Sequence, residues 1–509
     1  MNRSKNLFST ATVLLLVFGF LNLFASGRFT IAAATWVAPI FALRYLHLQT
    51  VRRKFFTFFL VFWLTLSIAW YGATPVFGPA HFIFMLVMAG VGSIPFAVDR
   101  WLAPRLRDQS GRLPFSATLI FPLVVTTSEY LNSSTNPLGN FGATGYSQYS
   151  WPIVTQIVAV TGMLGLTFLV SWFPAIVNWA WDNNFAWAKI RMGSAAFGAT
   201  LLLVLGYGAI RLATAPAMGS EASVRVASFT LAENHIGELN ELLDDQGVDA
   251  YRAATQAVHE QYLNMTETAV AAGAQIILWP ELAVVGVEED VLATVARGQS
   301  LADEADVYLG MPVFITYPDS DRTWENKLFV AAPDGQIVIE HVKYGGNIFE
   351  GTLKGSGEIA TVDTPYGRLA GIICWDTNYP QIVSQIGRQK TDILLSPSKE
   401  WSGINPMHAE MAVFRAIENG AAVIRQTDEG LSIIVDGYGR TLATGAGLAD
   451  SGNYLVVDVP VSGPTTLYPA IGGVLGMLAT AGLVVMMAYA LLTGRRRQTD
   501  VGKEPVLSS

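Results

Sequence analysis

The sequence predicts a chain in two parts, a polytopic α-helical membrane domain and a layered α/β domain. Three observations predict it. Only 14% of the 509 residues are charged while 51% are hydrophobic, against about a quarter charged in a soluble globular chain. Apolar stretches of bilayer-crossing length crowd the first 215 residues and recur once near the end. Between them, short apolar runs alternate with longer helical patterns, as strands and helices stacked in layers require.

The membrane part comes first. A spanning helix needs about 20 apolar residues. About seven such stretches precede residue 215, at roughly 7–26, 29–47, 55–74, 80–99, 114–131, 152–181 and 194–213, and an eighth runs over roughly 467–493. The first is too long, and too quickly followed by others, for a cleaved signal peptide. Basic residues mark the cytoplasmic loops: Arg3 and Lys5; Arg52 to Lys54; Arg100, Arg105, Arg107 and Arg112; Lys189 and Arg191; and Arg495 to Arg497. The alternate loops 72–79 and 132–151 carry no charge, and only Arg28 dissents. By the positive-inside rule both termini are cytoplasmic, which puts the α/β domain on the outer side. The expected organisation is a transmembrane domain at 1–215, an extracytoplasmic domain at 216–465, a last transmembrane helix at 466–494 and a cytoplasmic tail at 495–509.

The α/β part is ample for one large domain. Expected strands are Val224–Thr230, Gln275–Trp279, Val307–Met311, Leu328–Ala332, Gln336–Glu340, Leu369–Ile373, Asp392–Ser396, Ala422–Arg425, Leu431–Val435 and Tyr454–Val459, with helices chiefly at Asp249–Ala272 and Pro406–Asn419. Asp334-Gly335 and Gly437-Tyr-Gly439 read as hairpin turns.

Composition excludes several functions. A net charge of −8 leaves no basic footprint for nucleic acid. A single cysteine, Cys374, rules out an intrachain disulfide and a thiolate metal cage. The six histidines (47, 81, 235, 259, 341, 408) form no His-x-x-x-His pair, so no metal and no cofactor is expected. Gly90-Val-Gly-Ser begins like a dinucleotide loop but lies inside a span. No repeat points to an array, and a monomer is the default expectation.

Chemistry concentrates at three strand ends. Cys374 closes Leu369-Ala-Gly-Ile-Ile-Cys, Glu281 closes Ile277-Leu-Trp-Pro-Glu, and Lys343 closes Ile339-Glu-His-Val-Lys. A thiol is a poor nucleophile until it is a thiolate. A carboxylate can take its proton and return it to a leaving group. An ammonium favours the thiolate and stabilises the oxyanion of an attacked carbonyl, and the N–H of Trp375 is a natural second donor. Singly, each residue has an ordinary alternative: a buried inert cysteine, a strand-end acid, a solvated lysine. Their order and spacing favour the chemistry.

Glu, Lys and Cys in that order, each at a strand end, resemble the triad of the nitrilase (carbon–nitrogen hydrolase) superfamily. That resemblance implies a four-layered αββα sandwich, with Glu281 as general base, Lys343 as oxyanion and thiolate stabiliser, Cys374 as nucleophile and Glu350, in Phe349-Glu350, as the supporting acid. Thr127-Ser-Glu-Tyr130 with Asn140-Phe-Gly-Ala-Thr-Gly-Tyr-Ser-Gln148, and Arg415-Ala-Ile-Glu-Asn-Gly420 with Arg425-Gln-Thr-Asp-Glu-Gly430, resemble segments of apolipoprotein N-acyltransferases, as does the arrangement of spans around one α/β domain. Trp375, Glu129, Tyr146 and Trp401 are the residues expected to contact substrate. Glu129 reads either as a functional intramembrane acid or as a hydrogen-bonding anchor for the next loop. Tyr146 to Gln148 either shape a lipid path or cap a helix.

The resemblance implies that a phospholipid donates an acyl chain to Cys374 as a thioester, and that the N-terminal amine of a diacylglyceryl-cysteine lipoprotein accepts it at the outer face of a bacterial inner membrane. Departures from the family pattern fall at Trp375-Asp376, Asn347-Ile-Phe-Glu350 and Ser398-Lys-Glu-Trp-Ser-Gly403, and they bear on the acceptor more than on the thiol. The alternatives are a membrane-anchored amidase that hydrolyses its thioester, a transferase with another amine acceptor, and a scaffold without turnover. Transfer requires an apolar roof that excludes water; Leu282–Val287 and Gly345–Gly355 are the expected segments.

Overall fold

The computed structural model describes residues 9–48, 52–107, 115–231, 236–318, 320–446 and 452–501. Arg3, Lys5, Arg112 and the end of the tail, residues 502–509, lie outside them. The last helix continues to Val501, past the basic cluster at Arg495 to Arg497.

Helices occupy each apolar stretch: Thr10–Asn22, Ala32–His47, Arg52–Ala69, Pro79–Arg107, Ile120–Thr135, Val158–Asp182, Trp187–Ala213 and Val474–Val501. Among the described residues, four contain segments long and apolar enough to cross a membrane, Pro79–Leu106, Val158–Asp182, Trp187–Ala213 and Val474–Leu492. Thr10–Asn22 has 13 residues and Ala32–His47 and Ile120–Thr135 have 16 each, short of the roughly 20 that a hydrocarbon core demands. The expected 152–181 span is interrupted. Gly162 takes φ 63° inside Val158–Asp182, a left-handed conformation that glycine adopts without strain.

The α/β domain is an αββα sandwich. One sheet runs Asn453–Pro460, Ser223–Thr230, Ile276–Leu278, Tyr308–Thr316, Glu325–Ala331, Ile337–Val342, with Val284–Val287 also paired to Tyr308–Thr316. The other runs Thr441–Ala446, Leu431–Val435, Ala422–Arg425, Ile393–Leu395, Gly367–Gly371, Thr361–Thr364. Strand periodicity sets the layers. Ile276 and Leu278 point between the sheets, where they meet Ile393, Leu395 and Ile424. Ile277 points outward to the helical layer of Tyr262, Leu263 and Val291. Leu394 and Val423 point to the opposite layer, Pro380–Arg388 and Met407–Asn419. That layer shares one core with the membrane helix Val158–Asp182, so the sandwich is docked on the helical part through its fourth layer.

The central strands of each sheet are parallel. Their carboxyl ends therefore gather at one edge, where open α/β sheets place their ligands. The segment Leu282–Val287 does not roof that edge. Its strand pairs with Tyr308–Thr316 and is largely buried, because four apolar residues in a row suit a strand covered on both faces.

Candidate active site

Each expected residue of the triad is delivered by a strand end. Glu281 follows Ile276–Leu278 across Trp279-Pro280, and the chain turns sharply after it at Leu282, φ 63°. Lys343 directly follows Ile337–Val342, and its N–H is held by the Asn326 carbonyl at 3.0 Å. Cys374 sits at φ 44° where an extended run becomes a tight turn. A side chain in that left-handed region is strained and persists only where its surroundings impose it. Here Cys374 N donates to Pro397 O at 2.8 Å and Thr377 Oγ1 donates to Cys374 O at 2.8 Å.

Glu281, Lys343 and Cys374 are all buried. Lys343 Nζ donates to Glu281 Oε1 at 2.6 Å and also contacts Glu350 Oε1. Asn326 Nδ2 donates to the same Glu281 oxygen at 2.8 Å and to Glu350 Oε2 at 3.4 Å. The main chain of Lys399 links acid and thiol: its N–H donates to Glu281 Oε2 at 2.7 Å, and its carbonyl accepts from Cys374 Sγ at 3.5 Å. Asn326 carries no motif that would single it out, and Lys399, within the segment Ser398–Gly403 noted above, acts here through its main chain.

The electrostatics follow from burial and charge. Burial alone would depress the Lys343 ammonium, but the carboxylates of Glu281 and Glu350 outweigh it and hold its pKa well above the ordinary value. Burial raises the Glu350 carboxyl against the pull of Lys343. Burial pushes the Cys374 thiol up strongly, the Glu281 charge adds to that, and Lys343 opposes it. The resting state is a thiol, and it ionises only as its proton is taken.

Asp376 explains how the lysine and cysteine segments stay in register. It is fully buried. Its Oδ1 accepts from the N–H of Tyr344 at 3.0 Å and of Gly345 at 2.7 Å. Its Oδ2 accepts from the N–H of Ile373 at 3.0 Å and lies 2.7 Å from His341 Nε2. The acid at this departure from the family pattern is a tie between two loops.

The expected substrate residues divide into two groups. Trp375 and Trp401 stack at 6.2 Å between centroids and 15° between planes, with Phe141 from the membrane part 5.0 Å from Trp375. Trp401 Nε1 donates to the Gly72 carbonyl at 2.6 Å, and Tyr379 Oη to the Pro137 carbonyl at 2.5 Å. Membrane-side loops thus touch residues flanking the thiol. Glu129 and Tyr146 lie elsewhere, on the wall of a cavity of about 590 Å³ among the membrane helices, which Phe141, Leu138 and Met407 also line. Glu129 accepts from Thr144 N at 2.8 Å, Thr144 Oγ1 at 2.6 Å and Thr167 Oγ1 at 2.6 Å. It anchors the following loop. Tyr146 donates to Asn140 Oδ1 at 2.8 Å. Ile348, Phe349 and Leu353 of the Gly345–Gly355 segment are exposed.

Two family models match the chain. Carbon-nitrogen hydrolase matches residues 232–462 and apolipoprotein N-acyltransferase N-terminal domain matches residues 12–176. Curated relatives named apolipoprotein N-acyltransferase share sequence with it: one from Geobacter metallireducens at 24% identity over 85% of this chain and 84% of its own, one from Brucella melitensis at 27% over 58% and 59%, and one from Caulobacter vibrioides at 26% over 65% and 66%. The Brucella match thus spans about three fifths of that relative. The two matched regions are the two parts described above, in the same order. The chain belongs to the apolipoprotein N-acyltransferase family of the carbon–nitrogen hydrolase superfamily.

Proposed function

We propose that this chain is a membrane-bound N-acyltransferase that moves an acyl chain from a phospholipid, through a thioester on Cys374, to the N-terminal amine of a diacylglyceryl-cysteine lipoprotein. The observation that carries the reading is the Lys399 main chain joined to Glu281 at 2.7 Å and to Cys374 at 3.5 Å, with Lys343 2.6 Å from the same acid.

Glu281 Oε2 takes the Cys374 proton as sulfur attacks the donor ester carbonyl. Lys343 and the Trp375 N–H stabilise the oxyanion. Collapse breaks the acyl C–O bond, Glu281 returns the proton to the departing glycerol oxygen, and a lysophospholipid leaves. The acceptor amine then attacks the thioester, an amide bond forms as the C–S bond breaks, and the amine proton passes through Glu281 to sulfur. Glu350, in contact with Lys343, is the supporting acid. Trp375 and Trp401 face the substrate, while Glu129 and Tyr146 shape the membrane cavity beneath. The catalytic domain lies on the outer side, with both termini cytoplasmic and no partner subunit required. A cytoplasmic C terminus lets a carboxyl-terminal green fluorescent protein fusion fluoresce, and a dark fusion reverses the orientation.

The test is intact-mass analysis of wild type and Cys374→Ala after incubation with phospholipid micelles. A hydroxylamine-labile adduct of one acyl chain on wild type alone supports the thioester and its donor. A chase with a diacylated lipopeptide that carries the acyl chain onto the peptide amine supports transfer. Release as free fatty acid moves the reading to hydrolysis, and no adduct on either protein overturns the lipid donor.

A further inference from the structure

Behind the triad lies a second group of buried charges that the proposed reaction does not use. Arg425, at the end of strand Ala422–Arg425, is fully buried, as are His408 of helix Met407–Asn419 and Glu400 after Lys399. Arg425 Nη2 donates to Glu400 Oε1 at 2.5 Å and lies 2.9 Å from His408 Nδ1. His408 Nε2 lies 3.5 Å from Thr377 Oγ1, the hydroxyl bonded to the Cys374 carbonyl. The His408 ring is 5.0 Å from that of Trp375. Glu400 N donates to Asp428 O at 3.1 Å, which fixes the peptide that follows Lys399, and Ser398 N donates to Gln426 O at 2.8 Å on the other side.

The Lys399 main chain meets Glu281 and Cys374. We propose that Glu400, Arg425 and His408 are positioning residues that hold the Lys399 main chain against the general base and the nucleophile, and that the opposed charges of Glu400 and Arg425 set the ionisation of Cys374. This rests on the reading of Cys374 as nucleophile.

The charge argument has a sign. His408 is neutral: burial lowers its pKa, Arg425 lowers it further, and its Nδ1 accepts from the guanidinium. Burial would raise the Glu400 carboxyl, but its neighbours Arg425 and His408 together outweigh it, so Glu400 stays ionised. The thiol therefore faces Glu281 from one sheet, Lys343 and Glu350 from the loop after Ile337–Val342, Arg425 from the end of a strand of its own sheet, and Glu400 from the segment after Ser398–Lys399. Asp376 with His341, and Lys399 with Asp428, are paired among themselves. Arg425 lowers the thiol pKa and Glu400 raises it, Arg425 being the stronger of the two. Removing either charge alone shifts Cys374 in opposite directions.

The single cysteine makes the readout specific. In the full-length protein in detergent, the rate of Cys374 alkylation by iodoacetamide is followed by intact mass between about pH 6 and 10. Glu400→Gln is expected to displace the profile to lower pH, with about three- to tenfold faster alkylation at a fixed pH on the rising limb. Arg425→Gln displaces it to higher pH, Arg425 being the stronger of the two charges, but by a smaller factor because the unpaired Glu400 takes a proton. Glu400→Asp, which keeps the charge, stays near wild type. Where Glu400→Gln strands Arg425 and fails to fold, Arg425→Gln carries the test, because a buried glutamate escapes its cost by taking a proton.

Folded variants with profiles unmoved, or moved in the same direction, overturn the proposal; a merely structural cluster predicts equal losses. An acyl adduct on wild type with unmoved variant profiles sinks the cluster and spares the thioester. Opposite displacements without any adduct sink the thioester and spare the cluster.

Discussion

Glu281 is held from above by Lys399, whose main-chain N–H donates to Oε2 at 2.7 Å while its side chain turns away to Asp428, 2.6 Å distant. The contact depends on backbone, so it tolerates change of side chain but not loss of the N–H. Lys399→Ala is expected to keep the rate of acyl transfer within about threefold. Lys399→Pro removes the donor and is expected to lower kcat by about 100-fold. Single-turnover kinetics on the two variants checks this, and equal losses would refute the backbone role.

Asp376 ties the cysteine turn to the residues after Lys343 through three main-chain donors and His341. Asp376→Asn keeps the size but turns one acceptor into a donor facing donors. It is expected to destabilise the protein by about 2–4 kcal/mol and to reduce acyl-enzyme formation by about 100-fold through misplacement of reacting groups. Thermal melting and burst amplitude measure the two effects. An unchanged melting temperature would count against the tie.

Glu418 reports on the docking of the two parts. It accepts from the N–H of Met163, next to the break at Gly162, at 3.0 Å, and its other oxygen lies 2.9 Å from Arg415. Burial lifts its carboxyl from 4.5 to about 7 despite the pull of Arg415. A carboxyl raised on folding favours the protonated form. Its stabilisation is complete below the ordinary value and is lost as pH climbs to about 7. Wild type should therefore lose up to about 3 kcal/mol from this group over that window. Glu418→Gln keeps the acceptor for Met163 and should lack that part of the slope. Parallel melting curves against pH for the two proteins would refute the assignment.

Trp401 is clamped by the Gly72 carbonyl and stacked on Trp375. Trp401→Phe keeps the stack and loses the hydrogen bond, so its KM for the acceptor should rise about two- to fivefold. Trp401→Leu loses both and should raise it at least tenfold. Cys374 alkylation should change little in either. Equal KM values for the two variants would separate the membrane clamp from substrate contact.

The strand ends bearing Glu281, Lys343 and Cys374 are legible in sequence because each closes an apolar run, and an apolar run between turn signals is how a covered strand looks. The short strand at Val284–Val287 is harder to read, since four apolar residues fit a roof as well as a sheet interior. The loop holding Tyr146 is also legible. Its place is not: Glu129 and Tyr146 line a cavity among the membrane helices, because hydrogen bonds to Thr144, Thr167 and Asn140 fold that loop down onto them.

Periodicity and composition, which are local, determine by themselves that this chain has apolar helices flanking an α/β domain with a carboxylate, an ammonium and a thiol at strand ends. Only the tertiary structure decides that Asn326 bridges two acids, that the Lys399 amide reaches a carboxylate 118 positions away, and that Arg425 is neutralised by Glu400 behind the thiol. The reason is physical. A main-chain N–H is the same at every non-proline residue, and a buried charge is tolerable only beside the partner that folding brings to it.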